Sequence, residues 1–196
     1  MIYVSSDIET TCIDPPSPRN IIGVSFVVEN SFQPSVPVKS LPHFTFLVDQ
    51  GKDLTGEYEA LAMNGRYLQM IADHRRGKPV PFPVYKSCAV DPLNGWEIRT
   101  INWLRRTIPN EKRYILMGKN IGIFDYQFFP ANIQGLFIHR LIDVGSVHID
   151  FSKDRPPTMQ DLKTHYGMGA VAHDMYDDAC DDITLCRRHP SYPKVP

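Results

Sequence analysis

The chain has 196 residues, with 21 Lys and Arg against 22 Asp and Glu for a formal net charge of −1, 42% hydrophobic and 22% charged. That length fits one domain with a real core, and the composition excludes a disordered or membrane-embedded chain. The near-neutral charge argues against gripping long duplex DNA through a broad basic surface, because phosphate neutralisation dominates such affinity.

Ile2 to Thr10 predicts a first strand, Asn20 to Val28 a second and His43 to Val48 a third, with Pro15, Pro16 and Pro18 marking the first loop. Short connections between them predict an antiparallel meander. From Glu57 the pattern turns helical, with Leu61, Leu68 and Ile71 on one face; Asn64-Gly65 interrupts it and predicts two helices or a loop. Pro79, Pro81, Pro83 and Pro92 exclude continuous helix between Gly77 and Pro92, and an irregular excursion bordering a substrate is expected there. Trp96 to Ile108 predicts a helix through Ile98, Ile101, Leu104 and Ile108, stopped by Pro109. Next come a buried strand at Tyr114 to Met117, a helix over Asp125 to Ile133 despite Pro130, and a strand over His139 to Val144. Thr158 caps a helix that stops near Gly167, and Asp174 to Arg188 forms the last helix, before Pro190. Strands first and then alternating helix and strand predict an α/β fold, a mixed sheet covered by helices.

No apolar run is long enough to cross a bilayer, and the opening Met1-Ile-Tyr-Val lacks a basic leader, so a cytoplasmic location is expected. Cys12, Cys88, Cys180 and Cys186 are scattered without a C-x-x-C pair, which reads as free thiols and not as a zinc or disulfide framework. The basic groups at His74 to Lys78, Arg105-Arg106 and Arg187-Arg188 read as solvated helix ends.

Five residues carry the chemistry: Asp7, Glu9, Asp125, Asp178 and His173. On a strand, Asp7 and Glu9 share a face while Ile8 points into the core. Asp125 follows a buried strand and a Gly-rich turn, where it either reaches a neighbouring strand or serves as a helix N-cap. Asp178 lies about one and a half turns beyond His173, so both can face one cleft, although Asp174, Asp177, Asp181 and Asp182 also suggest a solvated acidic helix face. Gathered carboxylates raise one another's pKa unless a hard cation such as magnesium neutralises them. A histidine beside such a group points to an activated water attacking a phosphodiester.

The ordered blocks Asp7-Ile-Glu-Thr-Thr11, Asn120-Ile-Gly-Ile-Phe-Asp125 and Ala172-His-Asp-Met-Tyr-Asp-Asp-Ala179 resemble the three exonuclease motifs of the DEDDh family. The resemblance runs from about Ile2 to about Arg188. It implies a ribonuclease H-like fold in one exonuclease domain over residues 1–190, with 191–196 as a C-terminal tail. It also implies two divalent ions, Mg2+ or Mn2+, and stepwise release of nucleoside 5′-monophosphates from the 3′ end of single-stranded nucleic acid. Asp7 would then bridge both ions, Glu9 and Asp178 would complete one site, Asp125 would support the second, and His173 would be the general base. Two ions about 4 Å apart stabilise both the attacking and the leaving oxygen, and an imidazole with an ordinary pKa of about 6.5 suits proton removal at neutral pH.

By the same resemblance Thr10 and Thr11 would seat the terminal nucleotide, and Met63, Asn64 and Asn120 are candidate substrate contacts; a core methionine and a turn asparagine are the plainer readings of Met63 and Asn64. Cys12 stands where glycine is common, Lys119 where histidine is frequent, and Met175 where alanine is frequent. These departures bear on the shape of the 3′-end pocket. A homodimer or a polymerase partner is compatible with the chain, and no membrane partner is expected. A non-catalytic nucleic-acid- or polymerase-binding protein, or an oligoribonuclease, are the alternatives.

Overall fold

The computed structural model describes residues 1–14, 17–51, 54–87 and 95–194. Strands β1 (Ile2–Thr10) and β2 (Ile21–Asn30) pair antiparallel, with Asp7 opposite Ser25 and Glu9 opposite Gly23. β3 (His43–Asp49) continues the meander antiparallel to β2. The edge of β3 takes β4 (Val84–Lys86) in parallel, while the free side of β1 takes β5 (Leu116–Gly118) and then β6 (Ile142–Asp143), both parallel. The order is β4-β3-β2-β1-β5-β6.

β4 lies inside the proline-rich stretch expected to be irregular. Prolines exclude helix there, but an edge strand needs only one ladder, so Val84 to Lys86 can pair directly after Pro83. Pro15, Pro16, Cys88 and Pro92 lie outside the described residues.

The helical break at Asn64 separates α1 (Tyr58–Met63) from α2 (Gly65–Arg75). In α3 (Trp96–Thr107) Leu104 is buried and Ile101 packs on the core as expected, with Ile108 buried just beyond the helix; Trp96 and Thr100 are also buried, and only Ile98 of the expected face is exposed. The helix expected from Asp125 to Ile133 is two single turns, α4 (Asp125–Phe128) and α5 (Ala131–Gln134), because Pro130 interrupts the hydrogen-bond ladder. The expected strand over His139 to Val144 narrows to β6, after which Asp143 caps α6 (Val144–Val147) by accepting the Ser146 N–H at 2.8 Å. α7 (Met159–His165) starts in a capping box: Thr158 Oγ1 accepts the Asp161 N–H at 3.1 Å, and the Asp161 carboxylate accepts the Thr158 N–H at 2.8 Å. α8 (Met175–Arg188) ends the described helices. No helix among the described residues is long and apolar enough to cross a membrane.

Period-2 alternation divides the core. Val4 and Ile8 of β1 join Val24, Phe26 and Phe46 under Trp96, Leu104, Phe128 and Ile133. Tyr3 and Val27 face the other side, against Leu162, Ala179, Cys180 and Ile183. Asp7 and Glu9 lie in register with Tyr3, so β1 presents both carboxylates to the side that α8 covers.

Candidate active site

β5 pairs with β1 only at Val4 and Ser5, whereas β1 continues to Thr10. The far half of β1 therefore has an open edge, and the chain leaving β5 turns back over it. Asp125, the first residue of α4, fills that edge: its Oδ1 accepts the Ile8 N–H at 3.1 Å. The N-cap position belongs to Phe124, so of the two roles open to Asp125 the structure takes the reach to a neighbouring strand.

α8 brings the remaining acids. Its first residue, Met175, packs over Gly23, where an added Cβ would lie 2.7 Å from the methionine sulfur. Glu9 is the strand partner of Gly23, so a strand glycine makes room for the bulky Met175 and lets the start of α8 settle against the acidic end of β1. One turn further on, Asp178 faces β1.

The carboxylates act on one another. Burial, and then the Asp125, Glu9, Asp178 and Asp182 carboxylates, hold Asp7 well above the ordinary range. Burial and then Asp178 push Glu9 up to about 8, against the pull of Arg66 and an Asn64 hydrogen bond. Burial pushes Asp125 up to about 7 even with its backbone hydrogen bonds. Burial and then Asp181 raise Asp178, with Lys163 and His173 pulling the other way. The structure thus brings Asp7, Glu9, Asp125 and Asp178 into one region, with His173 at its exposed rim.

The acidic run on α8 is a solvated face only at Asp177, whose side chain is half exposed. Asp174 caps the helix, Asp177 pairs with Lys39, and Asp181 pairs with the buried Lys163. Asp182 is 2% exposed, and its Oδ2 accepts the Lys119 N–H at 3.1 Å. Sequence reasoning passed over this fifth carboxylate. Its signal was its spacing: four residues after Asp178, it shares that residue's helix face.

Among the described residues, no three His, Cys, Asp or Glu groups stand close enough to form a ready cage for a metal ion. The donor chemistry nevertheless fits a hard divalent cation. The Oδ1 atoms of Asp178 and Asp182 are buried without a hydrogen-bond partner, and the carboxylates around them outnumber the nearby cations, Arg66 and Lys163.

The other expected contacts divide. Thr10 and Thr11 are buried at the end of β1, and Asn64 is buried with its amide donating to the Thr10 carbonyl at 2.9 Å. Met63 is 61% exposed, which excludes a core role. Asn120 sits at φ 58° with its side-chain oxygen taken by Lys119 Nζ at 2.6 Å and its N–H by Asp143 at 2.6 Å. Of the basic groups, Arg75, Arg76 and Lys78 pair with Asp49 and Asp73 at the end of α2, whereas Arg187 is no solvated end: it is mostly buried against Glu29.

No family model matches the chain, and no curated protein does. Solved structures match at low identity. E. coli exonuclease I in complex with a dT13 oligonucleotide superposes with a TM-score of 0.62 at 12% identity, over 97% of this chain and 41% of that one. The nuclease domain of 3'hExo, a DEDDh family member, bound to rAMP, gives 0.60 at 14% identity over 97% and 93%. Cell-death related nuclease 4 gives 0.58 at 15% identity over 95% and 62%. The chain thus spans about two fifths of E. coli exonuclease I and nearly all of the 3'hExo domain. Its mixed six-stranded sheet flanked by helices is the ribonuclease H-like fold of these nucleases, and the resemblance to DEDDh exonucleases holds at the level of fold.

Proposed function

We propose that the protein is a metal-dependent 3′→5′ exonuclease of the DEDDh type, acting on single-stranded nucleic acid with residues 1–190 as one catalytic domain. One observation carries this reading: carboxylates from β1, α4 and α8 share one largely buried region, where burial and one another's charge disfavour ionisation more than Arg66 and Lys163 favour it. Such a group is costly to keep unless a cation completes it. Asp7, Glu9, Asp125 and Asp178 would hold two divalent ions, Mg2+ or Mn2+. Bound there, the ions would supply positive charge to the phosphodiester oxygens as negative charge develops.

The chain's own residues supply the rest. His173 takes the proton from the attacking water. Attack at the terminal phosphorus breaks its bond to the 3′ oxygen of the preceding nucleotide, which takes a proton from solvent to become the new 3′ hydroxyl, and a nucleoside 5′-monophosphate is freed. Met63, exposed beside the buried Asn64, offers an apolar face to the terminal base, and the buried Thr10 and Thr11 back that face, Thr10 through its carbonyl bond to the Asn64 amide.

The test is release of mononucleotides from a 3′-labelled single strand with Mg2+ or Mn2+, with matched DNA and RNA strands of several lengths deciding the sugar preference. Chelation, or Asp7→Ala, is expected to slow release by at least about 10³-fold. Equal rates in all three samples, or no release by the untreated protein, would overturn the proposal.

A further inference from the structure

α2 opens immediately after Asn64, and its second and third residues are tied to the chain that leads into α8. Arg66 Nη2 lies 2.6 Å from the His173 carbonyl oxygen, 3.1 Å from Asp174 Oδ2 and 2.5 Å from the Tyr67 hydroxyl. The Tyr67 hydroxyl donates to Asp174 Oδ2 at 3.2 Å and accepts the Met175 N–H at 3.3 Å. The proton and both lone pairs of that phenol are then in use. The Arg66 guanidinium also sits over the Tyr67 ring, 4.4 Å from its centroid.

This clamp is not needed to start α8. Asp174 caps the helix with Oδ1 alone, accepting the Tyr176 and Asp177 N–H groups at 3.1 and 3.0 Å, and leaves Oδ2 for α2. What the clamp does hold is His173, which stands at φ 51°. A side chain other than glycine persists in that left-handed region only where its surroundings over-determine it. The bond from Arg66 to the His173 carbonyl is such a restraint. At its other end the same segment is fixed to the site floor through the Asn64 amide and the Thr10 carbonyl.

We propose that Arg66 is a positioning residue: by holding the His173 backbone it aims the imidazole at the reacting water and links it to the Met63–Asn64 wall of the cleft. The inference rests on the exonuclease reading and on His173 as its base. A strut serving only the fold would lower stability without changing turnover per folded molecule. A direct phosphate contact would raise KM.

The experiment is a double-variant cycle on a 3′-labelled single strand with Mn2+, reading kcat and KM separately, with thermal melting of every variant. His173→Ala is expected to lower kcat by about 10² to 10⁴-fold, the usual contribution of a general base. Arg66→Ala should lower kcat by about 10²-fold while KM changes less than about threefold, and Arg66→Lys should recover part of the loss. In the His173→Ala background the Arg66→Ala change should matter less than about threefold, because residues acting as a unit are not additive. Should the alanine variant fail to fold, Arg66→Gln repeats the cycle. Additive losses, or a rise in KM at unchanged kcat, would overturn the positioning role while leaving the exonuclease reading intact. A His173→Ala variant as active as the unaltered protein would remove the base assignment, and this inference with it.

Discussion

Asp182 marks the limit of single-residue reading. Asp7, Glu9, Asp125, Asp178 and His173 stand out in the sequence because strand alternation and the His-x4-Asp spacing single them out. Asp182 is one of several aspartates on the same helix, and only the cleft between β1 and the turn after β5 makes it buried. Burial, then Asp125, hold it well above the ordinary carboxylate range. A folded-state pKa raised in this way gives stability that is fully present below the unfolded value and is lost as pH rises through the folded one. Asp182→Asn keeps an oxygen for the Lys119 N–H and does not titrate. Its melting temperature in the absence of divalent ions should therefore match the unaltered protein at pH below the ordinary carboxylate range and exceed it increasingly as pH rises above that range. A constant difference across pH would contradict the assignment.

Elements divide by length. β1, β2, β3, α3 and α8 were readable because each carries more than one period of its own pattern, α7 because Thr158 and Gly167 mark its ends, and α1 and α2 because Asn64-Gly65 announced their junction. β4 and α6 were not legible, and β6, α4 and α5 only as longer segments, because elements of two to four residues are too short for a period to fix their bounds and a neighbouring edge, a cap or a proline selects them. The placement of α8 depends on a pair that no local rule reveals. Gly23 and Met175 are far apart in sequence, yet any side chain at 23 meets the methionine sulfur. Gly23→Ala should destabilise by about 1 kcal/mol or less where the flexible Met175 thioether can shift, measured by denaturant unfolding, and slow nucleotide release to the extent that the shift moves the start of α8. Adding Met175→Ala should return part of the lost activity. Independent effects of the two changes would show that the contact does not set the helix.

Across the whole molecule, a conventional core supports an unconventional end. Arg187 and Glu29 pair at 2.6 Å in the interior, with Tyr192 donating to Glu29 at 2.8 Å, which fastens the last turn of α8 and the segment after it to β2. The acidic end pulls the other way. Glu9 moves from an ordinary 4.5 to about 8 and Asp125 from 3.8 to about 7, so the ion-free protein holds protons that its unfolded chain has released. Stability under chelation should thus fall as pH rises from about 4 towards about 8. Mn2+ or Mg2+ should raise the melting temperature, more at pH 8 than at pH 5, because the ions favour the ionised carboxylates. An ion effect that is absent, or larger at pH 5, would contradict this account.

The most direct measurement is a calorimetric titration of Mn2+ into the chelator-stripped protein near neutral pH, set beside the same titration of Asp7→Asn. Saturable binding by the unaltered chain, weakened at least about tenfold in the variant, is the predicted result. Absence of saturable binding, or identical binding by both proteins, would contradict the claim that these carboxylates assemble to hold divalent ions.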